Sequence, residues 1–175
     1  MNVRNEYKRV GSADKFYQNF SSDYKNPHKD IIIKLLEDFM FFKRKDIKIM
    51  DLSCGDGLVT EYLKNKGFVN IFGVDPYFKD IYEDKTKKKC YKKDFKTLPL
   101  SNEIPECDLV ICSFAMHLCD KSMLPALLYK LAELSKEMII ITPHKRPEIN
   151  LIWKLESEAL KDKVRLRSYK KEISY

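Results

Sequence analysis

The sequence lacks the features that mark membrane, secreted and zinc-binding proteins. No apolar run reaches the roughly 18 residues that a membrane-spanning helix requires, and residues 1–6 contain no apolar core of the secretory type. The five cysteines are odd in number and no two have Cys-x-x-Cys spacing, which argues against a disulfide framework and a zinc site. We therefore expect a cytoplasmic protein (the nucleus is the alternative) with reduced, mostly buried cysteines, no metal and no membrane partner.

Glycine is also scarce, and its distribution is uneven. Only five glycines occur in 175 residues, and four of them fall in one short stretch, at Gly55, Gly57, Gly67 and Gly73. Glycine permits unusual backbone angles and lets a ligand approach the main chain closely. This stretch is therefore a candidate ligand-binding segment, with a plain strand-to-helix turn as the alternative.

The chain carries an excess of positive charge. Lysine and arginine number 33 against 26 acidic residues, which gives a formal net charge of +7 and a pI of about 9.0. Such a charge can favour an acidic partner such as RNA, but no motif of interleaved aromatic and basic residues accompanies it. A lysine-rich composition with solvated faces explains the charge equally well. The basic segments are Lys85, Lys87, Lys88, Lys89, Lys92 and Lys93, then His144-Lys145-Arg146, and residues 161–171.

The order of apolar patterns predicts one α/β domain. A helical cap or lid is predicted in residues 1–44, with a helix starting at Asn26-Pro27, and residues 45–175 then alternate between strand and helix patterns. Alternation of this kind indicates a mostly parallel sheet with helices on both faces. The predicted strands are 47–51, 70–74, 89–92, 108–112, 138–142 and 164–169, and the predicted helices after residue 45 are 58–66, 123–134 and 149–160.

The loop after the first predicted strand has the chemistry of a cofactor site. Ligands of such sheets bind beyond the carboxyl ends of the strands, where the segment 51–57 reads Asp-Leu-Ser-Cys-Gly-Asp-Gly. Asp75, at the end of the second strand, can accept hydrogen bonds from ribose hydroxyls. A dinucleotide site shares that feature, but its third glycine is replaced here by Thr60, and Asp51 would repel a pyrophosphate. A cationic amino-acid ligand suits this loop better.

Four motifs in order resemble those of class I S-adenosylmethionine-dependent methyltransferases. Residues 51–57 resemble the first motif, 73–75 the second, 93–95 the third and 108–114 the fourth. The resemblance covers roughly residues 45–143 and implies a Rossmann-like fold. Two features depart from the family pattern. Ser53 replaces the usual first glycine, and only one strand of the usual C-terminal hairpin is evident, so we expect a shortened C-terminal part of the sheet.

The resemblance also implies roles for individual residues. The loop backbone would line the methionine part of the cofactor, Asp75 would hold the ribose, and Asp94 with Phe95 would bracket the adenine. Pro76, next to Asp75, is also expected to bind the cofactor. Ser113 would lie near the sulfonium, and Tyr24 would close over the cofactor carboxylate. Phe95 and Tyr24 could instead be packing residues. The loop residues in question are Asp51, Ser53, Cys54, Gly55 and Gly57.

Two histidines are candidate catalytic residues. His117 follows the fourth motif, in the loop that faces the methyl group in the family, and His144 follows the next strand. Either could orient or deprotonate an acceptor because imidazole titrates near neutral pH. A packing role for His117 and a surface role for His144 are the alternatives, and His28 is expected in the first turn of its helix.

The methyl acceptor is less constrained than the methyl donor. Enzymes that methylate adenine amino groups often carry Asp/Asn-Pro-Pro-aromatic after the fourth strand. Residues 112–115 read Cys-Ser-Phe-Ala instead, which disfavours that activity. A small-molecule acceptor fits the compact chain. An RNA or protein acceptor, in some cases with a partner subunit, is the alternative, and a non-catalytic methyltransferase-like module is a third hypothesis.

Overall fold

A computed structural model describes residues 28–172 of the chain. Tyr24 and the predicted helix start at Asn26-Pro27 lie outside these residues. The helices are α1 (Lys29–Met40), α2 (Leu58–Asn65), α3 (Lys79–Thr86) and α4 (Leu124–Leu134), with short 3-10 helices at Leu98–Leu100 and Met116–Leu118. The strands are β1 (Ile49–Leu52), β2 (Ile71–Val74), β3 (Cys90–Tyr91), β4 (Leu109–Ser113), β5 (Glu137–Thr142), β6 (Trp153–Lys161) and β7 (Val164–Lys171).

The strands of the described residues form one mixed sheet in the order β3-β2-β1-β4-β5-β7-β6. Strands β1 to β5 pair in parallel, whereas β7 pairs antiparallel with β5 and β6. The predicted mostly parallel sheet of a Rossmann-like fold is confirmed. The chain changes direction across the sheet between β1 and β4, which places the topological switch point at the ends of these two strands.

The C-terminal part of the sheet corrects two predictions. Residues 149–160 were expected to form a helix, but Trp153–Lys161 is the edge strand β6. The expected shortening is also wrong, because β6 and β7 form a complete hairpin. Asp162 and Lys163, between the two strands, both have positive φ (47° and 66°), as a tight hairpin turn requires. The turn lacks glycine, and β6 is exposed except at Trp153, so the period-2 apolar signal of a strand is absent.

The core lies on both faces of the sheet, because side chains alternate along each strand. One face packs on α1 and α2 through apolar residues of β1, β4 and β5, and the other packs on α4 and Trp153. The indole N–H of Trp153 donates to the carbonyl of Leu128 in α4 (3.0 Å). Helix α1 shares the core of the sheet, as expected for a segment of the same domain, but the domain assignment itself stays a prediction. Its lid role and the boundary at residue 44 stay predictions.

Helix α3 was not predicted, since most of its residues are polar. It buries only Tyr82 and Thr86. Several residues of the neighbouring lysine run make local contacts. Lys85 pairs with Asp56 and Lys93 with Glu103.

Within residues 28–172, no helix is both long and apolar enough to cross a membrane.

Candidate functional site

A cleft opens at the carboxyl ends of β1, β2 and β4, beside the topological switch point. It is the position where ligands bind in open α/β sheets. Gly57 does not line this cleft but starts α2 at its edge. The predicted cofactor residues that line it are Asp51, Ser53, Cys54, Gly55, Asp75, Pro76, Asp94, Phe95 and Ser113. The structure thus brings together at one cleft every predicted cofactor residue that it describes except Gly57.

The loop between β1 and α2 depends on left-handed backbone angles. Ser53, Gly55 and Gly57 have φ values of 58°, 52° and 89°. A Cβ at Gly57 would collide with Cγ2 of Thr86 in α3, so glycine is required there by both angle and space. Ser53, which departs from the family pattern, adopts an angle that costs an L-residue about 1–2 kcal/mol.

Several N–H groups of this loop donate to partners within the protein. Ser53 N–H donates to the carbonyl of Val74 (2.7 Å), and Gly57 N–H donates to the carbonyl of Cys54 (3.0 Å). Gly55 N–H donates to Oδ2 of Asp75 (3.0 Å). A pyrophosphate needs several free N–H groups pointing at its oxygens. The N–H groups of Ser53, Gly55 and Gly57 are already used and are not available to a pyrophosphate.

Asp75 connects the loop to the segment that follows β2. Its Oδ1 accepts hydrogen bonds from the N–H groups of Tyr77 (2.8 Å) and Phe78 (3.0 Å), while Oδ2 accepts from Gly55. Burial raises the pKa of this carboxyl, and the three N–H donors oppose that rise. Asp75 therefore positions the loop, a role that the sequence did not indicate. Contact with a ribose stays a prediction.

Asp51 anchors the start of α2 from inside the protein. Its Oδ2 accepts from the backbone N–H (3.2 Å) and the hydroxyl (2.7 Å) of Thr60, and that hydroxyl lies 2.8 Å from the hydroxyl of Tyr82. Burial raises the pKa of Asp51 to about 7, and the hydrogen bonds from Thr60 limit the rise. Sequence reasoning treated Thr60 only as a missing glycine, and it missed Tyr82 altogether.

Asp94 and Phe95 form the far wall of the cleft. Oδ1 of Asp94 accepts from the N–H groups of Lys96 (3.0 Å) and Thr97 (2.7 Å) and from the Thr97 hydroxyl (2.6 Å). Partial burial raises the pKa of Asp94, but these hydrogen bonds together hold it below its usual value. Phe95 lines the cleft and also packs against the core, so the two roles proposed for it are compatible.

The end of β4 carries strain and an unpaired polar atom. Phe114 has a φ of 55°, unusual for a bulky residue, and its ring stacks on His28 with centroids 4.5 Å apart. Ser113 Oγ is buried and has no hydrogen-bond partner among residues 28–172. Strain and unsatisfied buried groups tend to gather at functional sites. Phe114, Ala115 and Leu118 also line the cleft there.

The two candidate catalytic histidines lie together beside the cleft. The rings of His117 and His144 have centroids 4.3 Å apart, although neither residue lines the cleft itself. Burial, with a smaller effect of His144, lowers the pKa of His117 to about 4. Its Nδ1 is buried and unpartnered within the described residues. His117 is therefore neutral at physiological pH and can accept a hydrogen bond.

The charges around the cleft fit a cationic cofactor. Four aspartates line it, against the single cation Lys93, which pairs with Glu103. They are Asp51, Asp56, Asp75 and Asp94. Ionised carboxylates attract the ammonium and sulfonium groups of S-adenosylmethionine and repel phosphate, although Asp56 also pairs with Lys85 and Asp51, with a pKa of about 7, is only partly ionised at neutral pH. The residues present therefore fit S-adenosylmethionine. No group of three metal-ligating side chains occurs in the part of the chain that the structure describes.

Comparisons with known proteins agree with this geometry. The family model for a methyltransferase domain matches residues 24–169. An uncharacterized protein of Schizosaccharomyces pombe is 25% identical over 185 residues, which cover 81% of this chain and 75% of that protein.

Two solved structures show the same fold. Magnesium protoporphyrin IX methyltransferase from Synechocystis PCC 6803, solved with bound S-adenosylmethionine, superposes with a TM-score of 0.64 at 14% identity, covering 97% of this chain and 95% of its own. Ribosomal protein L11 methylase from Lactobacillus delbrueckii gives a TM-score of 0.60 at 10% identity, covering 86% and 81%. Because the family model spans most of the chain and the cleft fits its methyl donor, the protein belongs to the methyltransferase-domain family and is an S-adenosylmethionine-dependent enzyme.

Proposed function

We propose that the protein transfers the methyl group of S-adenosylmethionine to a small-molecule acceptor. The observation that carries the proposal is the junction of the aspartate-lined cleft with the apolar end of β4. Phe114, Ala115 and Leu118 border the cleft there, and they would exclude water from a small, uncharged reacting group. The cofactor supplies a methyl group that its sulfonium has already activated, so the protein contributes mainly alignment.

The imidazoles of His117 and His144 would handle the proton of the acceptor. His117 is neutral at physiological pH, and its unpartnered Nδ1 can accept the hydrogen of a hydroxyl or similar protic group. His144 is exposed and touches His117, so it can pass a proton on to solvent. Ser113, with its unpaired hydroxyl, supplies a further hydrogen-bonding group at the same end.

The cofactor part of the proposal is tested by calorimetry with S-adenosylmethionine. We expect binding by the wild type and at least tenfold weaker binding by Asp75→Ala, because the loop loses its hydrogen-bonded support, worth about 1–3 kcal/mol. Asp84→Ala is the matched control, since Asp84 is exposed and pairs with Lys87, the residue after α3. Equal binding by Asp75→Ala and the control would contradict the proposal.

An RNA acceptor is the second candidate, and one observation favours it. Lys145 and Arg146 are exposed next to His144, and Arg167 of β7 donates to the carbonyl of Lys145 (2.9 Å). This contact fixes the backbone that carries Lys145 and Arg146 beside the β5 end of the site. RNA binding through them would weaken with salt and weaken further in the Lys145→Ala/Arg146→Ala variant. RNA binding that changes neither with salt concentration nor in the double variant would contradict the RNA-acceptor hypothesis.

A labelling experiment separates the acceptor classes. Extract is incubated with the protein and S-adenosylmethionine carrying a radioactive methyl group, and is then divided into small molecules, RNA and protein. We expect label in the small-molecule fraction and its loss in His117→Asn with cofactor binding retained. Label confined to RNA or protein would overturn the small-molecule proposal.

We also propose that the protein is located in the cytosol, where thiols stay reduced. Cell fractionation tests this location.

A further inference from the structure

Two buried thiols meet beneath the cofactor loop. The sulfur atoms of Cys54, in the loop after β1, and Cys90, in β3, lie 3.8 Å apart. Both residues are more than nine-tenths buried, and together with Tyr82 they form a small cluster of their own. The remaining cysteines are Cys107, Cys112 and Cys119. The contact joins two segments that are not neighbours in the sheet, because β2 separates β1 from β3.

Gly73 makes this contact possible. It lies in β2 directly opposite Cys90 in the register of the two strands. A Cβ at Gly73 would lie 2.7 Å from Sγ of Cys54 and 2.7 Å from the ring of Tyr82. The side chain of Cys54 thus occupies the space above the glycine and reaches Cys90 across the intervening strand. Any larger residue at Gly73 would push the two thiols apart.

Only one of these two cysteines borders the cofactor cleft. Cys54 lines the cleft, whereas Cys90 does not and is 1% exposed. A small oxidant that enters an empty cleft therefore meets Cys54 first, with Cys90 behind it in van der Waals contact. A second thiol in contact behind Cys54 can convert its sulfenic acid to a disulfide, although burial, which raises the pKa of the Cys54 thiol, slows the first oxidation.

We propose that Cys54 and Cys90 form a reversible disulfide when a peroxide enters the empty cofactor cleft. Hydrogen peroxide transfers one oxygen to Cys54, which becomes a sulfenic acid, and one water is released. The thiol of Cys90 then attacks the sulfur of that sulfenic acid, and the second water leaves as the disulfide forms. The two thiols lose two electrons in total, and the peroxide gains them.

Disulfide formation would alter the cofactor site itself. The sulfur atoms must approach from 3.8 Å to about 2.05 Å, which draws the loop at Cys54 towards β3. The N–H groups of the loop are held by Val74 and Asp75, so this movement strains the wall of the cleft. Cofactor binding in the cleft and formation of the Cys54–Cys90 disulfide should therefore oppose each other. This part of the inference rests on the proposed cofactor binding.

The test uses the full chain treated with hydrogen peroxide, with and without saturating S-adenosylhomocysteine. Free thiols are then blocked and the peptides are mapped by mass spectrometry. We expect a Cys54–Cys90 disulfide in the ligand-free wild type, its reversal by dithiothreitol, and at least fivefold slower formation with the ligand. Cys90→Ser should instead give a Cys54 sulfenic acid that a dimedone probe captures. Cys119→Ser is the matched control, half-buried and outside the cluster, and should form the disulfide at the wild-type rate.

The outcomes separate this proposal from the proposed function. Oxidation of Cys107 or Cys119 without a Cys54–Cys90 disulfide would overturn the thiol pair, even where calorimetry shows that the ligand binds. A disulfide that forms at the same rate while the ligand is bound would overturn the antagonism. A disulfide in a protein that binds no ligand would support the thiol pair and contradict the methyltransferase function.

Discussion

The two ends of the cleft differ in how completely their polar groups are paired. At the β1–β2 end, Asp51 and Asp75 accept hydrogen bonds from Thr60, Gly55 and the segment after β2. At the β4–β5 end, Ser113 Oγ and His117 Nδ1 have no partner in residues 28–172. A buried polar group without a partner costs free energy. The protein therefore fixes its cofactor loop in advance and leaves unsatisfied groups at the end where we propose that the acceptor binds.

The largest expected effect is on the loop that the β1–β2 end holds in place. Gly57→Ala should lower the free energy of unfolding by about 3 kcal/mol, through a left-handed angle costing about 1–2 kcal/mol and overpacking costing about 1–3 kcal/mol. Gly67→Ala is the matched control, since Gly67 has the same φ of 89° and nothing within 4 Å of an added Cβ. Urea denaturation measures both variants, and equal losses would show that the contact with Thr86 is unimportant.

Removing a hydroxyl at each of the two ends of the cleft should change the free energy of unfolding in opposite directions. Thr60→Val removes the hydroxyl that donates to buried Asp51 and lies 2.8 Å from the hydroxyl of Tyr82, and it should cost about 2 kcal/mol, within the range for buried groups that lose a partner. Ser113→Ala removes a buried hydroxyl that has no described partner, and should stabilise the ligand-free protein by about 1 kcal/mol. Thermal or urea denaturation without ligand gives both values. Destabilisation by Ser113→Ala of the same size as Thr60→Val would contradict the contrast between the two ends.

Counted per pH unit, a smaller effect than that of Thr60→Val should appear in the pH dependence of stability. Burial raises the pKa of Asp51 to about 7 in the folded protein, against about 3.9 in an unfolded chain. The folded state holds the proton more tightly, so the free energy of unfolding should fall as pH rises from about 4 to about 7, by at most about 1.4 kcal/mol per unit. Asp51→Asn should flatten this slope, whereas Asp84→Asn, at an exposed position, should not. Parallel curves for the wild type and Asp51→Asn would refute the assignment.

The parts of the fold that the sequence predicted are those with a strong local pattern. Strands β4 and β5 are continuous apolar runs because helices cover both faces, and α4 repeats leucines at helical spacing. Strand β6 has neither signal, since it is an exposed edge strand. Helix α3 was missed because only Tyr82 and Thr86 anchor its polar sequence.

The candidate site shows the same division. The resemblance of four motifs identified the residues that line the cleft, because their spacing along the chain places them at the ends of adjacent strands. It did not show that Asp75 holds the backbone of Gly55, or that Thr60 and Tyr82 support Asp51. Such contacts depend on side-chain directions and on helix packing across the loop, which residue types and spacing do not specify.

The exposed strand β6 has a further consequence for the behaviour of the protein in solution. A strand at the edge of a sheet presents unpaired backbone groups that can recruit a strand from another molecule and start aggregation. Here that edge carries charged side chains, with Glu156 near Lys170 and Glu158 paired with Arg167. Docking of a foreign strand would bury these charges, which is unfavourable. The exposed polar residues that prevented prediction of β6 from the sequence therefore also protect this edge of the sheet against pairing with strands of other molecules.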